Sequence, residues 1–130
     1  MSKDIIVAKE NTSAGSISMK LLAGEFNGVP VVDGSRAIVG IVTAIDILKA
    51  IRKSGDNRKL NSLVANDIMT PSPTVAKKDT PIEEVIDIMI QKEIMMVPVI
   101  EEDNNRLIGV VSRQDILREK FNEDFITIGK

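Results

Sequence analysis

The chain has 130 residues, 17 Lys and Arg against 19 Asp and Glu, 43% apolar and 28% charged side chains, a composition typical of a globular domain. It holds no Cys and no His, which removes thiolate nucleophiles, disulfides, imidazole bases and nearly every zinc site, so no catalytic residue and no metal ligand is assigned. A net charge of −2 and 2% aromatic residues give neither the field nor the stacking platforms of a nucleic-acid binder; with no apolar run near the roughly 18 residues of a membrane span and no signal-peptide pattern, a cytoplasmic protein is expected.

The chain is one sequence written twice. Val7-Ala8-Lys9 recurs as Val75-Ala76-Lys77, Thr12 as Thr80, and Val29-Pro30-Val31-Val32 as Val97-Pro98-Val99-Ile100, all at one constant spacing. The block from Gly40 to Leu48 matches Gly109 to Leu117 at a spacing one residue longer, and the extra residue belongs in the polar turn between the blocks.

Residues 1–52 form the first motif, read as strand, helix, strand, turn, strand, helix. Its first helix carries Gly15, Ser16, Ser18 and Gly24 where the second copy has Glu83, Glu84, Ile86 and Lys92. Each Gly in a helix interior costs about 0.8–1 kcal/mol relative to Ala, so this helix is expected to be the weaker one and to gain order from a ligand. Asp33-Gly34 makes the turn between the Val29 and Gly40 strands. Residues 53–66 read as a linker and short helix: Lys53 to Arg58 are polar, and Leu60, Leu63, Val64 and Ile68 suit an amphipathic helix running to Met69.

Residues 67–122 form the second motif. Ile82, Val85, Ile86, Met89 and Ile90 fall on one helical face, with Thr80 as the expected N-cap and Pro81 at the first helical position. Met96 to Ile100 and Leu107 to Val111 make an antiparallel hairpin, and Ser112 opens a helix running to Lys120. The tail, 123–130, is placed in no element. One motif is too small to bury a core alone, so the expected fold is α/β (α+β), two β-α-β-β-α motifs packed through their sheets with pseudo-twofold symmetry. Two related clefts follow, and clefts between subdomains are where small ligands sit.

The repeated element with functional character is Gly, two aliphatics, a hydroxyl, two variable residues and Asp: Gly40, Thr43, Asp46 and again Gly109, Ser112, Asp115. It has two readings. A hydroxyl followed three residues later by an acid at a strand-to-helix junction is nearly a capping box. The same geometry suits a ligand, because first-turn amides attract phosphate and an ionised Asp accepts two hydrogen bonds from vicinal ribose hydroxyls.

Val-Pro-Val-Val/Ile, a turn, and Gly-aliphatic-aliphatic-Thr/Ser-x-x-Asp-Ile-Leu, present twice and preceded in the second copy by Asp67-Ile68-Met69-Thr70-Pro71, resemble a tandem pair of CBS (cystathionine β-synthase) domains over almost the whole chain. The resemblance implies an intramolecular sandwich that binds an adenosine-containing ligand such as AMP, ADP, ATP, S-adenosylmethionine or NAD as a regulatory sensor. It implies that Asp46 and Asp115 hold ribose hydroxyls, with Thr43 and Ser112 near the phosphate or sugar. It also implies that each acid faces the other motif: Asp115 and Ser112 opposite Ile6, Val7, Asn27, Gly28, Val29 and Pro30, and Asp46 and Thr43 opposite Thr74, Val75, Met95, Met96, Val97 and Pro98. The aliphatic residues have an equal reading as plain core.

The clefts are not expected to be equivalent. Arg113 stands beside Ser112 as a candidate phosphate clamp where the first copy has Ala44, and Gly28 permits a closer approach of ligand to backbone than Met96. No prosthetic group is expected, and magnesium enters only as an accessory to phosphate. The helices after Asp46 and Asp115 present Ile47, Ala50, Ile51 and Ile116, which suits a homodimer, and with no enzymatic domain attached the signal is expected to pass through assembly or an effector protein. The alternative is a structural dimerisation or interaction module with no physiological nucleotide. An enzyme using paired carboxylates is disfavoured, because the two Asp lie in separate copies.

Overall fold

The computed structural model describes residues 5–24, 26–55 and 57–120; the tail 123–130 lies outside them. A Val-Pro-Val-Val/Ile run is apolar on both faces and needs cover on both. Accordingly β2 (Gly28–Val32) and β6 (Met96–Ile100) are buried at every position. β1 (Ala8–Lys9) pairs with β2 in parallel, and β3 (Ile38–Thr43) pairs with it antiparallel. The second sheet repeats this with β5 (Ala76–Lys77), β6 and β7 (Leu107–Ser112). A proline inside a central strand is tolerated because β1 pairs only with Val31 and Val32, so no partner is waiting for an N–H at Pro30. The first sheet gains β4 (Thr70–Pro71) beside Gly40 and Ile41 of β3.

The helices are α1 (Ala14–Leu22), α2 (Ala44–Ser54), α3 (Asn57–Ser62), α4 (Ala65–Ile68), α5 (Ile82–Lys92) and α6 (Arg113–Lys120). Each motif has its own core. Ala8, Ile17, Val29, Val31, Val42 and Ala65 make one, and Ala76, Val85, Val97, Val99 and Val111 make the other. The two hairpins meet at their turns, where Ile38 N–H donates to Asn105 O and Leu107 N–H to Arg36 O, both at 3.0 Å. Arg36 and Asn105 occupy matching places in the repeat and both adopt positive φ, 69° and 59°. Each bond becomes the other when the repeats exchange, which is the pseudo-twofold relation in hydrogen-bond form.

The structure corrects the sequence reading at several places. Thr80 is not the N-cap of α5: its hydroxyl accepts from Lys77 N–H at 2.9 Å, as Thr12 does from Lys9 at 2.9 Å, so this threonine closes the turn after the first strand in both repeats. Pro81 then takes the cap position. Gly24 lies beyond α1 at φ 76°, where glycine is favoured, so the helix-interior cost applies only to Gly15. Lys53 and Ser54 extend α2, which ends on left-handed Gly55. The segment from Leu60 to Met69 is not one helix, because Val64 turns extended to bridge Ser13, Ala14 N–H donating to Leu63 O and Ala65 N–H to Thr12 O. Ile47, Ala50 and Ile116 pack into the cores and are not surface. The exposed apolar residues of α2 are Ile45, Leu48 and Ile51, and that of α6 is Leu117.

Candidate functional site

β3 runs directly into α2 and β7 into α6, so the last strand residue is a hydroxyl and the carboxylate three residues on stands in the first helical turn. That spacing folds the acid back onto the strand end. Asp46 Oδ2 accepts from the Thr43 amide at 2.8 Å and the Thr43 hydroxyl at 3.2 Å. Asp115 Oδ2 does the same with Ser112, at 2.9 and 3.0 Å, and Asp115 N–H donates back to Ser112 Oγ at 3.2 Å. The capping reading therefore holds for one oxygen of each acid.

The other oxygens differ. Asp46 Oδ1 accepts from the Thr70 hydroxyl of β4 at 2.9 Å, and the residue is 8% exposed. Among the described residues, Asp115 Oδ1 has only the guanidinium of Arg118, 3.8 Å away, and the side chains are 21% and 77% exposed. An exposed pair at that separation is weak and easily exchanged. Asp115 thus keeps an oxygen that a ligand hydroxyl can claim; Asp46 does not.

Two clefts lie between the motifs. Around Asp115 the structure gathers Ile6, Asn27, Gly28, Pro30 and Ser112, joined by Phe26, Gln114 and Arg118, about a space of 90 Å³. The second cleft, of 460 Å³, brings together Thr43, Thr74, Met95, Met96 and Pro98 with Ile41, Ile45, Thr70 and Ile94. Met96 borders both. Asp46 does not line its expected cleft; it borders a separate hollow that Lys49, Lys53 and Lys59 also line. Val29 and Val97 are core residues, at 2% and 0% exposure. Val7 borders a separate hollow beside Lys9, Asp33 and Arg36, and Val75 lines neither cleft.

Arg113 also lies outside the residues lining the Asp115 cleft; it is exposed, and its N–H donates to Met95 O at 2.9 Å. The cation that reaches the acid is Arg118, three residues further along the helix. Helical spacing was the signal for it, since i and i+3 are neighbours on a helix surface while adjacent residues diverge. Gln114 gave no such signal, because its partner Asn27 belongs to the other repeat.

The family model for the CBS domain matches residues 1–53 and 64–122, and the chain belongs to the CBS domain family. It is 35% identical, over 91% of its own length, to homoserine O-acetyltransferase of Methanohalobium evestigatum, and spans 22% of that enzyme. Members thus occur as a minor part of larger enzymes. Among solved structures it is similar to the CBS domain pair of protein MJ0100 in complex with 5′-methylthioadenosine and S-adenosyl-L-methionine, with a TM-score of 0.76, 33% identity, and 92% and 90% of the two chains covered. It is also similar to CBSX2 of Arabidopsis thaliana in complex with AMP, with a TM-score of 0.75, 28% identity, and 88% and 86% covered. No helix of the described residues is long and apolar enough to cross a membrane.

Proposed function

We propose that this chain is a non-catalytic regulatory module that takes an adenosine-containing ligand (AMP, ADP, ATP, S-adenosylmethionine or NAD) in the Asp115 cleft and signals by a change of conformation or assembly. The observation that carries the reading is the uncommitted Oδ1 of Asp115 beside a cleft shared by both repeats. Asp115 and Ser112 hold the ribose, Arg118 turns from Asp115 toward a phosphate, and Ile6, Gly28 and Pro30 wall the base. The similar pairs of MJ0100 and CBSX2, bound to adenosyl compounds, support the ligand class. Magnesium would arrive only with the phosphates, and the cytoplasmic nucleotide pool is the source of ligand.

Titration calorimetry and thermal melting with these five ligands test the reading. A ligand bound only by the folded state raises the melting temperature, so binding heat and an upward shift are expected for at least one of them. No heat and no shift with any would overturn it. A second reading, a homodimerising module with no nucleotide, is favoured by the exposed Ile45, Leu48 and Ile51 of α2, at 58%, 58% and 48%, and by the full engagement of Asp46. A dimer whose mass and stability ignore every nucleotide is the outcome that selects it.

A further inference from the structure

Asn27, just before β2, and Gln114, in the first turn of α6, pair their amides in both directions across the Asp115 cleft. Asn27 Nδ2 donates to Gln114 Oε1 at 2.5 Å, and Gln114 Nε2 donates to Asn27 Oδ1 at 3.3 Å. Asn27 Nδ2 also lies 3.4 Å from the Met95 carbonyl, which favours this orientation of its amide over the flipped one. With this pair closed the cleft encloses 90 Å³, far below the roughly 300–1,000 Å³ of a small-molecule site. In the other cleft the repeat places Met95 where Asn27 stands and Ile45 where Gln114 stands, and the space is 460 Å³. Asn27 stands on the wall between the two clefts and borders both, but Gln114 lines only the Asp115 cleft, so the bridge closes the cleft whose acid has an oxygen to offer.

We infer that the Asn27–Gln114 pair is the purine-reading latch of the Asp115 cleft, selecting a 6-amino over a 6-oxo base. The inference rests on the nucleoside reading of that cleft. A ribose held by Asp115 on the second repeat directs its base toward the first, where Asn27 supplies the polar side chain. An amide edge and a 6-aminopurine edge are each donor beside acceptor, so an entering adenine replaces Gln114 bond for bond: Oδ1 accepts from the 6-amino group and Nδ2 donates to the adjacent ring nitrogen. A 6-oxo purine sets an acceptor against Oδ1, and the Met95 carbonyl opposes the amide flip that would repair the mismatch. Gln114 is the internal surrogate for the base, and releasing it opens the space.

Calorimetric titration of AMP and IMP into the parent protein, Gln114→Ala and Asn27→Leu tests this. The parent should prefer AMP by at least about tenfold. Gln114→Ala should keep the preference and tighten AMP by about two- to tenfold, since no partner need be surrendered. Asn27→Leu should bring the AMP/IMP ratio near one; Asn27→Ala carries the same expectation should the leucine variant fail to fold. A parental ratio in either Asn27 variant, or weaker AMP binding in Gln114→Ala, overturns the latch. Asp115→Ala separates the two failures: AMP binding that survives it removes the cleft reading and the latch together, whereas AMP binding lost with Asp115 but indifferent to Asn27 removes the latch alone.

Discussion

The two Thr/Ser-x-x-Asp elements share sequence, backbone and a capping oxygen, yet Asp46 is closed and Asp115 is open. What separates them lies outside the element. Thr70 sits on β4, a strand added to the edge of β3, and its hydroxyl occupies the second oxygen of Asp46. At Asp115, among the described residues, that place is held only by a long contact to an exposed arginine. Availability of the acid is thus decided by whichever neighbour reaches its second oxygen, and a family signature kept in both copies does not by itself make two sites.

The largest expected effect is a crossed one. Asp115→Ala should weaken AMP binding by about 3 kcal/mol, roughly a hundredfold, because the charge-assisted hydrogen bonding of its available Oδ1 to the ribose is lost, while costing about 1 kcal/mol of stability as a lost cap. Asp46→Ala should leave AMP affinity nearly unchanged and cost about 2 kcal/mol on unfolding, since the Thr43 amide and two hydroxyls lose their acceptor. Equal losses of affinity in both variants would break the distinction between the clefts.

The next effect probes how β4 reaches Asp46. A methyl at Gly40 would fall 2.8 Å from Met69 Cγ, in contact with Met69 Sδ, and 3.0 Å from the Thr70 carbonyl. The absence of a side chain there lets β4 lie flat on β3. Gly40→Ala should cost about 2 kcal/mol through the forced shift of β4, with AMP affinity at Asp115 untouched. Denaturant unfolding beside an AMP titration reads both, and an affinity loss matching the stability loss would join the two clefts energetically.

The division of the chain was legible because the repeat is in register, and the buried Val-Pro-Val strands and the apolar face of α5 follow from composition and periodicity alone. Thr80 misled because a hydroxyl before proline resembles an N-cap, whereas its bond to Lys77 is a turn that only the paired strand defines. Ile47 and Ala50 read as surface because a helix pattern states that a face is apolar, not which face meets the sheet. At the site, Ile6, Asn27, Gly28 and Pro30 were legible as a set only through the family resemblance. The Thr70–Asp46 bond and the Asn27–Gln114 pair were not, since each joins residues far apart in sequence whose types carry no signature of pairing.

A smaller effect sharpens the electrostatic side of the comparison. Arg118→Ala should weaken AMP by about tenfold and leave adenosine nearly unchanged, because the guanidinium leaves its long contact with Asp115 for a phosphate. Arg113→Ala should change neither, its side chain being exposed and outside the lining of the cleft. The opposite assignment would return the clamp to the first position of the helix and place the phosphate at the α6 N-terminus.

The smallest effect separates the two hairpin turns where the repeats meet. Asp33 Oδ1 accepts from the Ser35 hydroxyl at 2.8 Å, the Ser35 amide at 2.9 Å and the Ala37 amide at 3.0 Å; the corresponding turn of the second repeat uses the uncharged Asn104 to hold Arg106 N–H at 3.0 Å. The Ser35 hydroxyl, then the Ser35 and Ala37 amides, hold the Asp33 carboxyl below its ordinary value of 3.8. A depressed acid stabilises the fold fully above the unfolded value, and that contribution is lost as the pH falls through the lower folded value. The melting temperature should therefore drop as the pH falls below 3.8, and Asp33→Asn, which keeps an acceptor but cannot titrate, should flatten that limb while leaving neutral-pH stability close to the parent. Because Arg36 and Asn105 join the two turns directly, the acid loss in the parent should appear first as exchange of the Ile38 and Leu107 amides. An acid limb unchanged by Asp33→Asn would place the titrating group elsewhere and leave the first turn no different from the second.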